Sequence, residues 1–378
     1  MTAGGPVRLA MVGGGPGAFI GPVHRMAAEL DGRCRLVAGA FSRDAERGAE
    51  AARAWGVRGY RDHREMIAAE AARGDGAELV AVVTPNASHL EISTAALGAG
   101  LHVMSDKPPT RTLAEARRLA EAVAASGRVY GLAHVYTGYP MVREARERVR
   151  RGELGRVRKV VVEYAQGWLS EPIERSGDRQ AGWRTDPELA GVGGCIGDIG
   201  VHAFNLAEFV AGAPVTRLLA DLAAVVPGRA LDDDCAVLLR FEGGARGVLI
   251  ASQISTGARN GLRIQVYGER GRLSWSHEAA GELRLDWPDR PSQTLHAAAP
   301  YLGDPARAAS RLPTGHPEGF IEAFANLYAG VAEAIRAGRT DPAPAPGIAD
   351  GLRAMAFVER AVAASRDEAG WVELEAAA

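Results

Sequence analysis

Lys107 stands in the run Ser105-Asp106-Lys107-Pro108-Pro109, between an acid and two prolines. Proline lacks a backbone donor and fixes the direction of the chain, so a lysine in this setting is held in place. Asp198 and His202 are four residues apart; if the chain from Ile199 to Val210 is helical, they share one face and aim at one pocket. Gly193 and Gly194, just before them, let a ligand approach the backbone closely. Oxidising an alcohol removes a hydride from carbon and a proton from oxygen, which requires a base and a cation beside that oxygen. A lysine, a carboxylate and an imidazole supply both. Each also has a plainer reading: Lys107 as a surface cation lying along apolar atoms, His202 as a satisfied helix histidine, and Asp198 as the N-cap of that helix.

The hydride needs an acceptor, and the N-terminal region reads as a site for one. The strand-like run Leu9 to Val12 enters Gly13-Gly-Gly-Pro-Gly-Ala-Phe-Ile-Gly21 and then a helical stretch. Glycines let a backbone turn tightly against a pyrophosphate, and the following helix offers unpaired N–H groups and its positive dipole end. Gly13, Gly15, Gly17, Ala18, Phe19 and Ile20 are the expected contacts, in a loop that Pro16 and the residues before Gly21 make longer than the usual fingerprint. The second strand ends Gly39-Ala-Phe-Ser42-Arg43-Asp44, where an NAD site would place a carboxylate for the ribose 2′-hydroxyl. Ser42 and Arg43 suit a 2′-phosphate, which favours NADP over NAD; the competing reading makes Arg43 solvated and Asp44 a helix N-cap. Thr84-Pro85-Asn86-Ala-Ser-His89 and Asp106-Lys107-Pro108 end the next two strands, at the carboxyl edge of a parallel sheet, where ligands bind.

Positioning these residues requires two kinds of sheet. In the first third, short apolar runs (Val7 to Val12, Leu36 to Ala40, Leu79 to Val83, His102 to Met104, Val129 to Leu132) alternate with helical stretches such as Asp44 to Trp55 and Leu113 to Ser126. That alternation predicts an α/β, doubly wound parallel sheet of the Rossmann type over residues 1–135. A helix from Gly138 to Arg151 leads into residues 136–378, where Val157 to Tyr164, Leu218 to Val226, Cys235 to Phe241, Gly247 to Gln253, Leu262 to Tyr267 and Arg272 to His277 read as strands. Short turns between them predict an α+β domain with a large open, mostly antiparallel sheet, for substrate binding and oligomerisation. The run Pro342 to Gly347 reads as an extended connector before a last helix, Ile348 to Ser365.

Lys plus Arg (44) nearly balance Asp plus Glu (46), so there is no surplus cation for nucleic-acid phosphates or an anionic membrane, and a small partner is expected. Cys34, Cys195 and Cys235 are scattered, with no Cys/His cluster for a metal, and no signal-peptide core or membrane span is legible; the expectation is a cytoplasmic protein. His24 reads as an ordinary helix residue, and Asp31 and the Asp232-Asp233-Asp234 run as solvated loop charge.

Together the glycine loop, Thr84-Pro-Asn-x-x-His89, Asp106-Lys107-Pro108 and Gly193-Gly-Cys-Ile-Gly-Asp198-Ile-Gly-Val-His202 resemble the glucose–fructose oxidoreductase / inositol dehydrogenase / rhizopine catabolism (Gfo/Idh/MocA) family along essentially the whole chain. Asp106 stands where that family usually has Glu. The resemblance implies an NAD(P)-dependent dehydrogenase of sugars, cyclic polyols or sugar derivatives. His202 would be the proton acceptor, Asp198 its relay or a substrate-hydroxyl ligand, and Lys107 the polarising cation, with Asp106 toward the nicotinamide ribose. Trp183-Arg184 resembles a segment that reaches cofactor and substrate, His316-Pro-Glu-Gly-Phe320 a pocket-lining segment opening a helix, and Tyr136 lies where sugar hydroxyls would be met; packing or capping competes for each. Two other readings remain open here: glycoside hydrolysis by transient oxidation with retained NAD, and a non-catalytic dinucleotide-binding regulator. An open sheet needs its second face covered, which predicts a homodimer or homotetramer through the C-terminal sheet.

Overall fold

The computed structural model describes residues 5–16 and 18–375. Its contacts divide the chain into two compact units: one holds the chain up to Gly138 together with Phe320–Leu352, the other Tyr139–Gly319 and the chain from Arg353 onward.

The first unit is a six-stranded parallel sheet of order β3-β2-β1-β4-β5-β6. Its strands are β1 (Val7–Gly13), β2 (Cys34–Ala40), β3 (Arg58–Gly59), β4 (Leu79–Val83), β5 (His102–Ser105) and β6 (Tyr130–Leu132). All five residues of β4 are buried, as a strand covered on both faces requires. Between the strands run α1 (Ile20–Glu29), α2 (Ala45–Trp55), α3 (His63–Ala72), α4 (His89–Gly98) and α5 (Leu113–Ser126). Helix boundaries follow local chemistry. Asp44 caps α2 by accepting from Arg47 N, and Thr112 caps α5 by accepting from Glu115 N. Gly56 (φ 66°) and Gly127 (φ 61°) end those two helices in the left-handed region that glycine enters without strain. The short β3 is an addition to the strands legible in sequence.

The first unit takes in the chain up to Gly138 and a second, later stretch, Phe320–Leu352. Helix α11 (Phe320–Arg336) packs on α1. A Cβ on Gly138 would lie 2.0 Å from Ala323 O, Asn326 Nδ2 donates to Gly138 O at 2.9 Å, and Arg336 pairs with Glu78 at 2.6 Å. The Pro342 to Gly347 connector likewise joins this unit, Leu132 N donating to Pro346 O at 2.9 Å. An amphipathic helix declares in its sequence that it has a buried face, not which sheet buries it.

The second unit is a nine-stranded sheet of order β14-β13-β12-β11-β7-β10-β9-β8-β15. Its strands are β7 (Val157–Ala165), β8 (Val215–Ala223), β9 (Asp234–Phe241), β10 (Arg246–Ser252), β11 (Gly261–Gly268), β12 (Arg272–Ser276), β13 (Glu282–Asp286), β14 (Gln293–His296) and β15 (Val372–Glu373). Neighbours are antiparallel except β7 and β10. Helices α6 (Pro140–Arg150) and α9 (Val201–Ala211) cover one face. Val160, Val162, Leu249, Val237, Leu239 and Ile264 point into that layer and are buried. On the opposite face Leu219, Leu238, Val248, Val161 and Gln265 align in register across five strands. Leu238 is 42% and Ile250 39% exposed.

Candidate active site

Three features of the first unit lie at the carboxyl ends of β1, β2, β4 and β5, where a dinucleotide is expected. The first is glycine geometry. Gly13 (φ 77°) and Gly14 (φ 64°) are left-handed, and a Cβ on Gly13 would lie 2.5 Å from Val83 O. Gly21 crosses the loop so closely that its Cβ would sit 1.6 Å from Gly14 O. The fingerprint spacing picks out Gly13 and Gly15 and not Gly14 or Gly21, because it fixes spacing and not which chain segments cross. Gly17 lies outside the described residues. Helix α1 begins at Ile20, with no side-chain cap, no acidic residue in its first turn, and Phe19 68% exposed before it. Ala18 N closes the loop on Gly15 O at 3.0 Å. A helix N-terminus reached by side-chain-free backbone suits a phosphate.

The second feature is the tip of β2. Ser42 Oγ accepts from Asp44 N at 3.1 Å, Asp44 Oδ1 caps α2, and Arg43 beside them is exposed.

The third is the pair of strand-end loops. His89 Nδ1 lies 2.8 Å from Pro108 O and its Nε2 2.7 Å from Thr84 O. The imidazole, expected at the cofactor, thus ties the Thr84-Pro85-Asn86 loop to the Asp106-Lys107-Pro108 corner. Asn86 is buried and opens the turn into α4, and Ser88 Oγ donates to Thr84 Oγ1 at 2.7 Å. Asp106 N donates to Val82 O at 2.9 Å, and Asp106 Oδ1 accepts from the backbone N–H of Lys107 at 2.7 Å. Burial, and secondarily the charge of Lys107, push the His134 imidazole down to about 3. It is neutral beside the lysine at ordinary pH. Tyr136 is buried with its ring against Phe320, centroids 6.3 Å apart, so packing accounts for much of its surface.

In the second unit, Asp198 and His202 do not share one regular α-helix. Residues Ile196–Gly200 form a single π turn, and the α-helix starts at Val201. Such wide turns concentrate at functional sites, and the glycines at 197 and 200 ease this one. The N-cap reading of Asp198 is corrected. Its Oδ2 accepts from Arg184 Nε at 3.1 Å and from Gln253 Nε2 at 2.9 Å, and neither helical segment has a side-chain cap. Arg184 ends α7 (Arg179–Arg184), with its guanidinium 4.2 Å from the Trp183 ring and 5.8 Å from that of Trp168. A charge-assisted pair on a partly buried carboxylate fixes its direction. His202 is 7% exposed, its ring 6.4 Å from that of Tyr164. His316 lies in an exposed turn with Nδ1 3.2 Å from Pro313 O, ahead of the helix it was expected to open.

The close approach at Gly194 is to the chain itself: a Cβ there would lie 2.2 Å from Asp232 O. Asp232 accepts from Gly194 N at 2.6 Å and from Ile196 N at 2.7 Å, which anchors the loop that carries Asp198. Burial outweighs those two bonds and pushes its carboxyl up to about 6. Asp233, also read as solvated, is 1% exposed and accepts from Val225 N, Val226 N and Arg229. A run of three acids gives no sign of this, since the partners are loop N–H groups set by the fold. Beyond Asp198 the inner sheet face carries further polar groups: Gln166 Nε2 and Tyr164 Oη both donate to Asn260 Oδ1, at 2.8 and 2.6 Å. Among the described residues, no group of His, Cys, Asp and Glu is arranged to hold a metal ion, and no helix is long and apolar enough to cross a membrane.

Residues 7–134 match the oxidoreductase family with an NAD-binding Rossmann fold, GFO/IDH/MocA, and residues 142–274 match the GFO/IDH/MocA C-terminal domain. An uncharacterized oxidoreductase, YfiI, of Bacillus subtilis is 34% identical, with 98% of this chain and 97% of that protein covered. A solved inositol dehydrogenase homolog from Azotobacter vinelandii, complexed with NAD+, superimposes with a TM-score of 0.93 at 38% identity, covering 98% of this chain and 97% of the other. A structure of an inositol dehydrogenase homolog from the same organism, complexed with NADH and myo-inositol, gives a TM-score of 0.90 at 37% identity, covering 98% of each chain. Matches to both domains, and to relatives of the same length, make this chain a member of the GFO/IDH/MocA family of oxidoreductases.

Proposed function

We propose that the protein transfers a hydride between NAD(P) and a secondary alcohol of a sugar, cyclic polyol or sugar derivative. The observation that carries this reading is the full-length likeness to an inositol dehydrogenase homolog bound to NADH and myo-inositol, in a chain that carries Lys107, Asp198 and His202. The glycine cradle, the uncapped start of α1 and the absence of an acid in its first turn fit a dinucleotide. Gly13, Gly14, Gly15, Ala18 and Ile20 would hold the pyrophosphate, Arg43 and Ser42 the adenosine ribose, and Thr84, Pro85, Asn86 and Pro108 the remainder. When bound, the nicotinamide supplies the two-electron acceptor for the hydride on the carbinol carbon. His202 accepts the hydroxyl proton. Asp198, oriented by Arg184, receives a substrate hydroxyl, and Lys107 serves as the polarising cation.

The aligned apolar row Leu219, Leu238, Val248 and Val161 supports a homodimer or homotetramer built on the open sheet face. Three free, buried cysteines fit a cytoplasmic setting. The deciding experiment is a panel of polyols, aldoses and glycosides with NAD and with NADP, followed by absorbance of the reduced nicotinamide. Turnover of at least one polyol or sugar is expected; no reduction of either cofactor with any of them rejects the reading.

A further inference from the structure

The corner that carries Lys107 is braced from behind. His24, on α1, is fully buried, with Nδ1 2.6 Å from Tyr328 Oη on α11 and its ring edge-on to Phe324 at 4.5 Å. Its other nitrogen, Nε2, has no hydrogen-bond partner and lies 4.0 Å from Asp106 Oδ2. The second oxygen of that carboxylate, Oδ1, accepts from the backbone N–H of Lys107. The remaining titratable neighbour that bears on His24 is His89, which holds Pro108 O on the far side of the lysine.

The tautomer follows from these distances. If Tyr328 donates its O–H to Nδ1, the ring carries its proton on Nε2 and presents N–H to the carboxylate. The opposite tautomer would aim a lone pair at a negative charge, and would leave the Tyr328 hydroxyl hydrogen without an acceptor. We propose that His24, oriented by Tyr328, is a positioning residue that sets the direction of the Asp106 carboxylate and, through it, the backbone of Lys107. The inference rests on the reading of Lys107 as the catalytic cation. Nothing in the sequence announced it: His24 and Tyr328 are 304 residues apart.

The test uses His24→Phe, which keeps an aromatic ring against Phe324, Tyr328→Phe, which removes one hydroxyl, and each combined with Asp106→Asn. Two quantities are read on the full chain: kcat and KM with a polyol substrate, and the pH profile of Lys107 acylation by an amine-directed reagent, followed by peptide mass spectrometry. The second needs no substrate. His24→Phe is expected to lower kcat about tenfold with KM nearly unchanged, and to displace the Lys107 acylation profile. Tyr328→Phe should act in the same direction and less, and neither should add to Asp106→Asn. Wild-type kcat and acylation profile in both single variants overturn the proposal; so does an equal loss in the Asp106→Asn background. If His24→Phe does not fold, Tyr328→Phe decides alone. If the wild-type chain turns over no polyol, the proposed function fails, and the acylation profiles still judge this one.

Discussion

The two units hold their chemistry-bearing residues in different ways. In the first, backbone does most of the work: strand ends, left-handed glycines and carbonyls gripped by His89 define the cradle, and most of the parts lie within a few residues of a strand. In the second, Asp198 sits on a π turn whose direction is set by Arg184, Gln253 and Asp232, drawn from three distant stretches of chain. A backbone site is tolerant of side-chain change but not of added atoms. A side-chain site is the reverse, because each partner is one substitution from being lost.

The largest expected effect tests the chemistry assigned to the first unit. Lys107→Met should reduce turnover by about 10³-fold while the dissociation constant for NAD(P) stays within about threefold. Near-normal turnover would remove the lysine from the mechanism.

Glycine substitutions probe the contrast directly. Gly21→Ala forces a Cβ to 1.6 Å from Gly14 O, and Gly194→Ala to 2.2 Å from Asp232 O, whereas a Cβ on Gly197 meets nothing within 4 Å. The first two should each destabilise by about 2–4 kcal/mol and the third by less than about 0.5 kcal/mol, as measured by urea unfolding. Gly21→Ala should weaken cofactor binding as well, by calorimetric titration, and Gly194→Ala should leave it intact. The same loss of cofactor affinity in both variants would erase the distinction between the units.

Acid should also separate them. Burial holds His24 at about 4 and His134 at about 3, below the ordinary 6.5. On acidification the unfolded chain takes up those protons first, so their contribution to stability is whole above 6.5 and is lost as pH falls toward the folded values. Asp232 has the opposite sign. Its folded value of about 6 exceeds the ordinary 3.8, so its burial costs stability at neutral pH and the cost is relieved as pH falls through about 6 toward 3.8. Hydrogen exchange between about pH 7 and pH 5 should show the first unit losing protection before the second. Simultaneous loss, or the reverse order, contradicts this account. The smallest effect concerns the β2 tip: Arg43→Ala should weaken NADP by about tenfold and NAD by less than about twofold, and equal weakening of both would reject a 2′-phosphate role.

What the sequence determined by itself was whatever short-range physics controls. Alternating apolar runs and amphipathic stretches placed five of the six strands of the parallel sheet, Leu79–Val83 to the residue, and Asp44 ahead of its helix had the residue type of an N-cap. Lys107, Asp198 and His202 stand out as candidates because rigid spacing and residue type go together in motifs. The tertiary structure decided what depends on which surfaces meet. It took α11 to the first unit, bound Asp232 and Asp233 to loop N–H groups, turned Asp198 toward Arg184 instead of a helix end, made Gly21 the point of closest approach in the glycine loop, and brought Tyr328 to His24. A hydrogen bond or steric contact between residues far apart in the chain leaves no periodicity in either segment, so only the folded arrangement specifies it.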